Sequence, residues 1–209
     1  MMKKLPIVLA LALVIFSDPV WADAHKKLQP VAADQMTTAS IGAAAQYGTR
    51  RVSKVPAEGA IEIAFAPVPQ RSAERLVIKV IDSAEHSVFM AAYGMTSKPI
   101  ADAMCRASAR GVAVAAVLDA KSNPHGFNGN SKRDYMLTCG VVVRANTRYP
   151  IMHDKFIVVD GAHVETGSFN YTFAAAERNA ENAMVIWNND QLAARYSGEF
   201  DRLFAEAED

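Results

Sequence analysis

Residues 151–160 read Ile-Met-His-Asp-Lys-Phe-Ile-Val-Val-Asp, which sets His153, Lys155 and Asp160 in a His-x-Lys-x-x-x-x-Asp spacing; Gly167-Ser-Phe-Asn170 follows. An imidazole can attack phosphorus, and an ammonium beside it can hold a non-bridging phosphate oxygen. A serine hydroxyl and an asparagine amide can stabilise the charge that grows on the phosphoryl group. The chemistry these residue types suit is attack on a phosphodiester. The full pattern occurs once: His25 has Lys27 two residues on but Ala32 where the aspartate would stand, and His86, His125 and His163 have no lysine at that spacing.

The elements that must position these groups follow from periodicity. Side chains alternate along a strand, so His153 and Lys155 are expected on one face. Lys155 to Val159 and Ala162 to Thr166 read as two short strands joined at Asp160-Gly161, a strong hairpin signal. Ser168 and Asn170 repeat the i, i+2 spacing at the end of the second strand, and Gly167 is expected to let the backbone approach a ligand. An attacking imidazole needs an acceptor on its other nitrogen, and Glu181, just ahead of a strand at Ala183 to Trp187, is the candidate. Two roles are open for Asp160, direct catalysis and closure of the turn, because seven residues separate it from His153.

Upstream, strands are expected at Ile61 to Phe65, Ser87 to Tyr93, Val112 to Leu118 and Val141 to Arg144. Helices are expected over Arg71 to Ser83, Lys98 to Arg110 and Ser131 to Thr138, with a closing helix from Gln191 to Ala207. Strand–helix alternation at this spacing predicts right-handed crossovers and an α/β sandwich: a mixed, mostly parallel sheet flanked by helices on both faces.

The chain opens with Met1-Met-Lys3-Lys4 and an apolar run from Leu5 to Phe16, then small residues to Ala24. This predicts a signal peptide over 1–22 and export, to the periplasm or the medium; the run is shorter than the ~20 residues of a membrane span. Residues 23–59 lack a sustained apolar period and read as a linker or loosely held segment, leaving 60–209 as one domain. The whole chain carries a formal charge of +0, so bulk charge does not announce nucleic acid. From Lys121 to Lys155, however, six cations face two anions, a local excess of four around the motif. Cys105 and Cys139 leave two readings open in an exported chain, a disulfide or two buried thiols.

The ordered set of these residues, with Val164-Glu-Thr-Gly-Ser-Phe-Asn-Tyr-Thr172, Asn179-Ala-Glu-Asn-Ala-Met-Val-Ile-Trp187, Ala91-Ala-Tyr-Gly-Met-Thr96 and Arg110-Gly-Val-Ala-Val114, resembles the phospholipase D superfamily. It is most similar to the small bacterial branch of EDTA-resistant, Nuc-like endonucleases, over about Ile61 to Phe204. The resemblance implies a phospholipase D-like fold and a two-step reaction through a phosphohistidine on His153, with a second histidine as acid and then base. Lys155, Ser168 and Asn170 would hold the phosphate, with no metal and no cofactor. Since that chemistry uses two motif copies and this chain has one, a homodimer with both His153 side chains at the two-fold interface is implied.

The expectation is therefore an exported, metal-independent phosphodiesterase acting on nucleic acid, DNA and possibly RNA. The alternative is a phospholipase D hydrolysing phosphatidylcholine-type lipids by the same chemistry; the basic rim and the lack of an apolar lip favour polyanions. A catalytically silent nucleic-acid-binding module is disfavoured because His153, Lys155, Ser168, Asn170 and Glu181 are all present.

Overall fold

A computed structural model of the chain describes residues 56–57, 59–67, 71–126 and 130–208. The expected signal peptide and the segment up to residue 55 lie outside the described residues. The end of the expected linker is tied down: Asn188 donates to the Pro56 carbonyl (2.7 Å) and Gly59 N–H to the Trp187 carbonyl (2.9 Å).

Seven strands form one sheet in the order β1-β7-β6-β5-β2-β3-β4. They are β1 (Ile61–Ala66), β2 (Ser87–Ala92), β3 (Ala113–Asp119), β4 (Val142–Asn146), β5 (Lys155–Val159), β6 (His163–Gly167) and β7 (Glu181–Ile186). The helices are α1 (Ser72–Asp82), α2 (Lys98–Ala109), α3 (Arg133–Thr138), α4 (Phe173–Glu177) and α5 (Asp190–Ala205). The expected mixed sheet with helices on both faces is present, but its parallel share is smaller than the sequence implies. Only β2-β3-β4 are parallel, and the other four pairings are antiparallel. The reason is local. From β5 onward the chain returns through a tight hairpin and then α4, too short for the crossover a parallel pair requires.

Strand alternation divides the core into two layers. Val88, Met90 and Ile157 point to the face covered by α1 and α2, whereas Phe89, Phe156 and Val158 point to α5. There Phe89 stacks on Phe200 with ring centroids 5.0 Å apart. Helix α2 starts where Ser97 Oγ accepts the Ile100 N–H (3.2 Å), a serine N-cap. Cys105 on α2 and Cys139 just after α3 are joined as a disulfide, fixing that short helix against its neighbour.

The hairpin signal is realised as read. Asp160 and Gly161 both have positive φ (54° and 64°), the requirement of a type I′ turn. At the other edge of the sheet, Glu62 turns towards α1 and pairs with Lys79 (2.5 Å). Ile61, Ile63 and Phe65 therefore turn to the opposite face, where they are 57–58% exposed.

Candidate active site

His153 lies in the irregular stretch just before β5, and its backbone is held from both sides. The Asp119 carboxylate, buried at the end of β3, accepts the Met152 N–H (2.9 Å) and the Ser122 N–H (2.8 Å). The Asp154 carbonyl accepts the Tyr93 N–H (3.1 Å). The imidazole itself is exposed and meets the Tyr93 ring edge-on, centroids 4.7 Å apart. Among the described residues its ring nitrogens have no hydrogen-bond partner, so the loop is fixed while the ring stays available.

Lys155 opens β5 and is 9% exposed. Its Nζ donates to the His153 carbonyl (2.7 Å) and sits 5.5 Å from the centre of the Tyr93 ring. Burial pushes the ammonium pKa down, and the Asp154 and Glu181 carboxylates only partly oppose that. A half-desolvated ammonium that its own protein compensates incompletely favours a bound anion. Burial also pushes the Asp154 carboxyl up, with the nearby Glu199 carboxylate adding to it.

Ser168 and Asn170 stand beyond the end of β6 on a turn whose odd residues point inward: Phe169 and Tyr171 are fully buried. Ser168 Oγ donates to Glu181 Oε2 (2.6 Å) and accepts the Asn182 N–H (3.1 Å). Asn179 donates to the other Glu181 oxygen (3.1 Å). The Asn170 side-chain oxygen is buried without a partner among the described residues. His153, Lys155, Ser168, Asn170 and Glu181 together line an open cleft of about 540 Å³.

Three sequence expectations change. Glu181 reaches the cleft, where within one chain its oxygens accept from Ser168 and Asn179 rather than from His153, because it stands opposite the Ser168 turn at the start of β7. Gly167 is demanded by strand packing rather than by a ligand, because a Cβ there would lie 2.2 Å from the Asn182 carbonyl. Asp160 is not in the cleft. It sits at the far end of β5, where its carboxylate accepts the N–H groups of Glu85, His86 and Ser87 at 2.9, 2.8 and 2.7 Å. Of its two open roles, the turn-and-anchor role is the one it occupies.

The expected basic rim disperses. Arg144 stacks 4.4 Å above Phe204 and Arg148 pairs with Glu206 (3.5 Å), both directed at α5 or just beyond it. Lys121 donates to the Pro150 carbonyl (3.3 Å), nearer the His153 loop. His125 is bound to Asp134 (2.7 Å) in an exposed loop. His163 is buried against Trp187 and accepts the Asn188 N–H (3.0 Å). Sequence reasoning assigned no role to Tyr93, Asp119 or Tyr196, the last of which lines the cleft from α5. An acidic residue at the carboxyl end of a buried parallel strand was the available signal for Asp119.

Residues 77–204 match the family described as cardiolipin synthase, PLD-like domain. A phospholipase D of Rickettsia typhi is 37% identical over 128 residues, 61% of this chain and 61% of that protein. The chain thus spans about three-fifths of the length of the curated relatives it matches. A mitochondrial cardiolipin hydrolase of Xenopus tropicalis is 31% identical over 141 residues, covering 67% of this chain and 65% of that protein. Among solved structures, Nuc of Salmonella typhimurium, a phospholipase D family member, is 38% identical. It superposes with a TM-score of 0.68 over 72% of this chain and 97% of its own. NucT of Helicobacter pylori, 24% identical with a TM-score of 0.64 over 71% of this chain and 97% of its own, shares the fold. The chain belongs to the phospholipase D-like family.

Proposed function

We propose that this member of the phospholipase D-like family is an exported, metal-independent phosphodiesterase that cleaves nucleic acid through a phosphohistidine. The observation that carries the reading is Lys155: a largely buried ammonium beside an exposed, unpartnered imidazole, in a cleft whose remaining polar groups suit phosphoryl oxygens. A nitrogen of His153 attacks phosphorus, the P–O bond to the leaving group breaks, and the departing alkoxide takes a proton from a second imidazole. That imidazole then removes a proton from water, whose oxygen displaces the histidine and restores it. Lys155, Ser168 and Asn170 hold the non-bridging oxygens as charge builds on them.

The second imidazole is His153 of a second copy. A reason for the copy to dock here lies on the sheet: Phe156, Thr166, Met184 and Ile63 form one cross-strand row on the α5 face. Phe156 and Thr166 line the cleft, and the row runs out to the exposed Ile61, Ile63 and Phe65. An uncovered apolar surface continuous with the cleft wall favours association, and a two-fold axis beside it would bring the two clefts together. Export is supported by the apolar run after Lys3-Lys4 and by the Cys105–Cys139 disulfide, which suits an oxidising compartment.

The name of the rickettsial relatives, with the dispersed basic rim and the exposed apolar strip of Ile61, Ile63 and Phe65 beside the cleft, makes lipid the second reading, a phospholipase D acting on phosphatidylcholine. One panel separates them: the purified full chain with EDTA against plasmid DNA, RNA and phosphatidylcholine vesicles, beside His153→Ala. Nucleic-acid cleavage that persists in EDTA and disappears in the variant is expected. Lipid turnover with intact DNA and RNA would replace the substrate assignment, and sedimentation showing an active monomer would remove the shared site.

A further inference from the structure

One buried acid has no part in the chemistry above. Glu165, in the middle of β6, is 1% exposed and lies between Ile157 and Val185 in the sheet, both fully buried. Its Oε2 accepts a 2.6 Å hydrogen bond from the hydroxyl of Tyr171, itself fully buried. The two residues bracket the segment that carries Ser168 and Asn170, so this bond closes the turn from beneath. The far side is clamped as well: the Tyr171 carbonyl accepts the Thr96 and Ser97 N–H groups at 2.9 and 3.0 Å. A polar pair is expensive to bury in an apolar layer, and here it occupies the one place where it can fix the depth of the turn.

We propose that Glu165 and Tyr171 are positioning residues whose buried hydrogen bond holds Ser168 and Asn170 at the depth needed to meet a phosphoryl group. For its kinetic consequence this rests on the phosphodiesterase reading. The bond ties β6, which supplies the cleft wall at Thr166, to the strand end bearing Asn170. Without it, the short irregular segment keeps the bonds of Ser168 to Glu181 and Asn182 on its outer side and its backbone contacts with Asn182 and residues 96–97, but loses its tie from beneath. Burial raises the Glu165 carboxyl to about 8, with Tyr171 opposing, so the pair is neutral at pH 7 and gains a charge in the apolar layer in mild alkali. The charged groups of the surrounding elements are engaged elsewhere. On α1, Glu74 accepts from Ser97 and Arg71, Lys79 pairs with Glu62, and Asp82 binds Arg106; Arg75 is also bonded. Lys155, Asp160 and Glu181 stand at the ends of β5 and β7, and His163 is held at the start of β6.

The test uses the full chain, Tyr171→Phe and Glu165→Gln, each first shown by thermal unfolding to be folded at the assay temperature. Hydrolysis of bis(p-nitrophenyl) phosphate is followed from pH 6 to 9.5. Amide hydrogen exchange is read at Phe169 and Thr172, which donate to the Asn182 and Asn170 carbonyls at 3.1 and 2.7 Å. In Tyr171→Phe, exchange at both amides is expected to accelerate about tenfold or more, and kcat to fall at least about tenfold with KM within about threefold. Glu165→Gln, which mimics the neutral acid, is expected to keep kcat near the parent value at pH 7 and to keep protection at both amides above pH 8, where the parent loses it. Unchanged exchange in Tyr171→Phe, or faster exchange with kcat within twofold of the parent, overturns the proposal. So does a loss of protection above pH 8 that survives in Glu165→Gln, which decides the matter if Tyr171→Phe does not fold. Should the parent not hydrolyse phosphodiesters at all, the proposed function fails, and exchange alone still judges whether the bond holds the turn.

Discussion

The two ends of β5 carry the same sequence motif and are built in opposite ways. At one end His153 is exposed with a free ring, and Lys155 is desolvated with only a carbonyl and an aromatic face for company. At the other, Asp160 spends its carboxylate on three backbone N–H groups at the entrance to β2 and starts the turn into β6. Saturated hydrogen bonding marks a residue that holds the fold. Polar groups left under-partnered in a rigid frame mark residues that wait for something else. The frame is what makes the second condition tolerable: Asp119 and Tyr93 fix the His153 backbone, so the ring's freedom is not the looseness of a loop.

The contrast can be broken in either direction. His153→Ala removes the nucleophile and should lower turnover by roughly a thousandfold or more. Because the ring is exposed, denaturant unfolding should move by no more than about 0.5 kcal/mol. Asp160→Ala should do the reverse. Three N–H groups lose a charged acceptor and alanine is forced to positive φ, so stability should drop by about 3 kcal/mol. Turnover per folded molecule, counted by active-site titration, should be unchanged. A loss of turnover in folded Asp160→Ala would return that residue to the chemistry and erase the contrast.

Lys155→Met keeps the stem and deletes the cation, and kcat should fall about a hundredfold. Relief of the desolvated charge should leave stability level or slightly raised. The last effect concerns pH. The Glu165 carboxyl is raised to about 8 when folded, above its unfolded value, so the native state holds the proton more tightly. Stability from this group is complete below the unfolded pKa and is lost as pH rises towards about 8. Unfolding of Glu165→Gln should lack that slope.

Much of this was legible in the sequence, and the pattern of what was not is physical. The β5–β6 hairpin, β2 and α2 follow from an Asp-Gly turn, an apolar run and helical periodicity, all of them local signals. The cleft membership of His153, Lys155, Ser168 and Asn170 was legible because hairpin register carries i, i+2 spacing to one end of a sheet. The short α4 and the antiparallel pairings of β1 with β7, β6 with β7 and β2 with β5 were missed because they depend on how distant segments return. The same holds for the partners of Glu181, the tight fit at Gly167, the burial of His163 and the anchoring by Asp119. Each depends on an approach between segments that periodicity does not encode.

The central claim is that the open end of β5 supplies the nucleophile. Single turnover with end-labelled DNA in EDTA, quenched in alkali where a phosphohistidine survives, followed by mass spectrometry of the peptide containing residues 151–155, tests it most directly. The account predicts a phosphoryl adduct on His153 that forms and decays with turnover and is absent in His153→Ala. Turnover with the adduct on another residue, or with no adduct while Lys155→Met slows formation of the product, would contradict it.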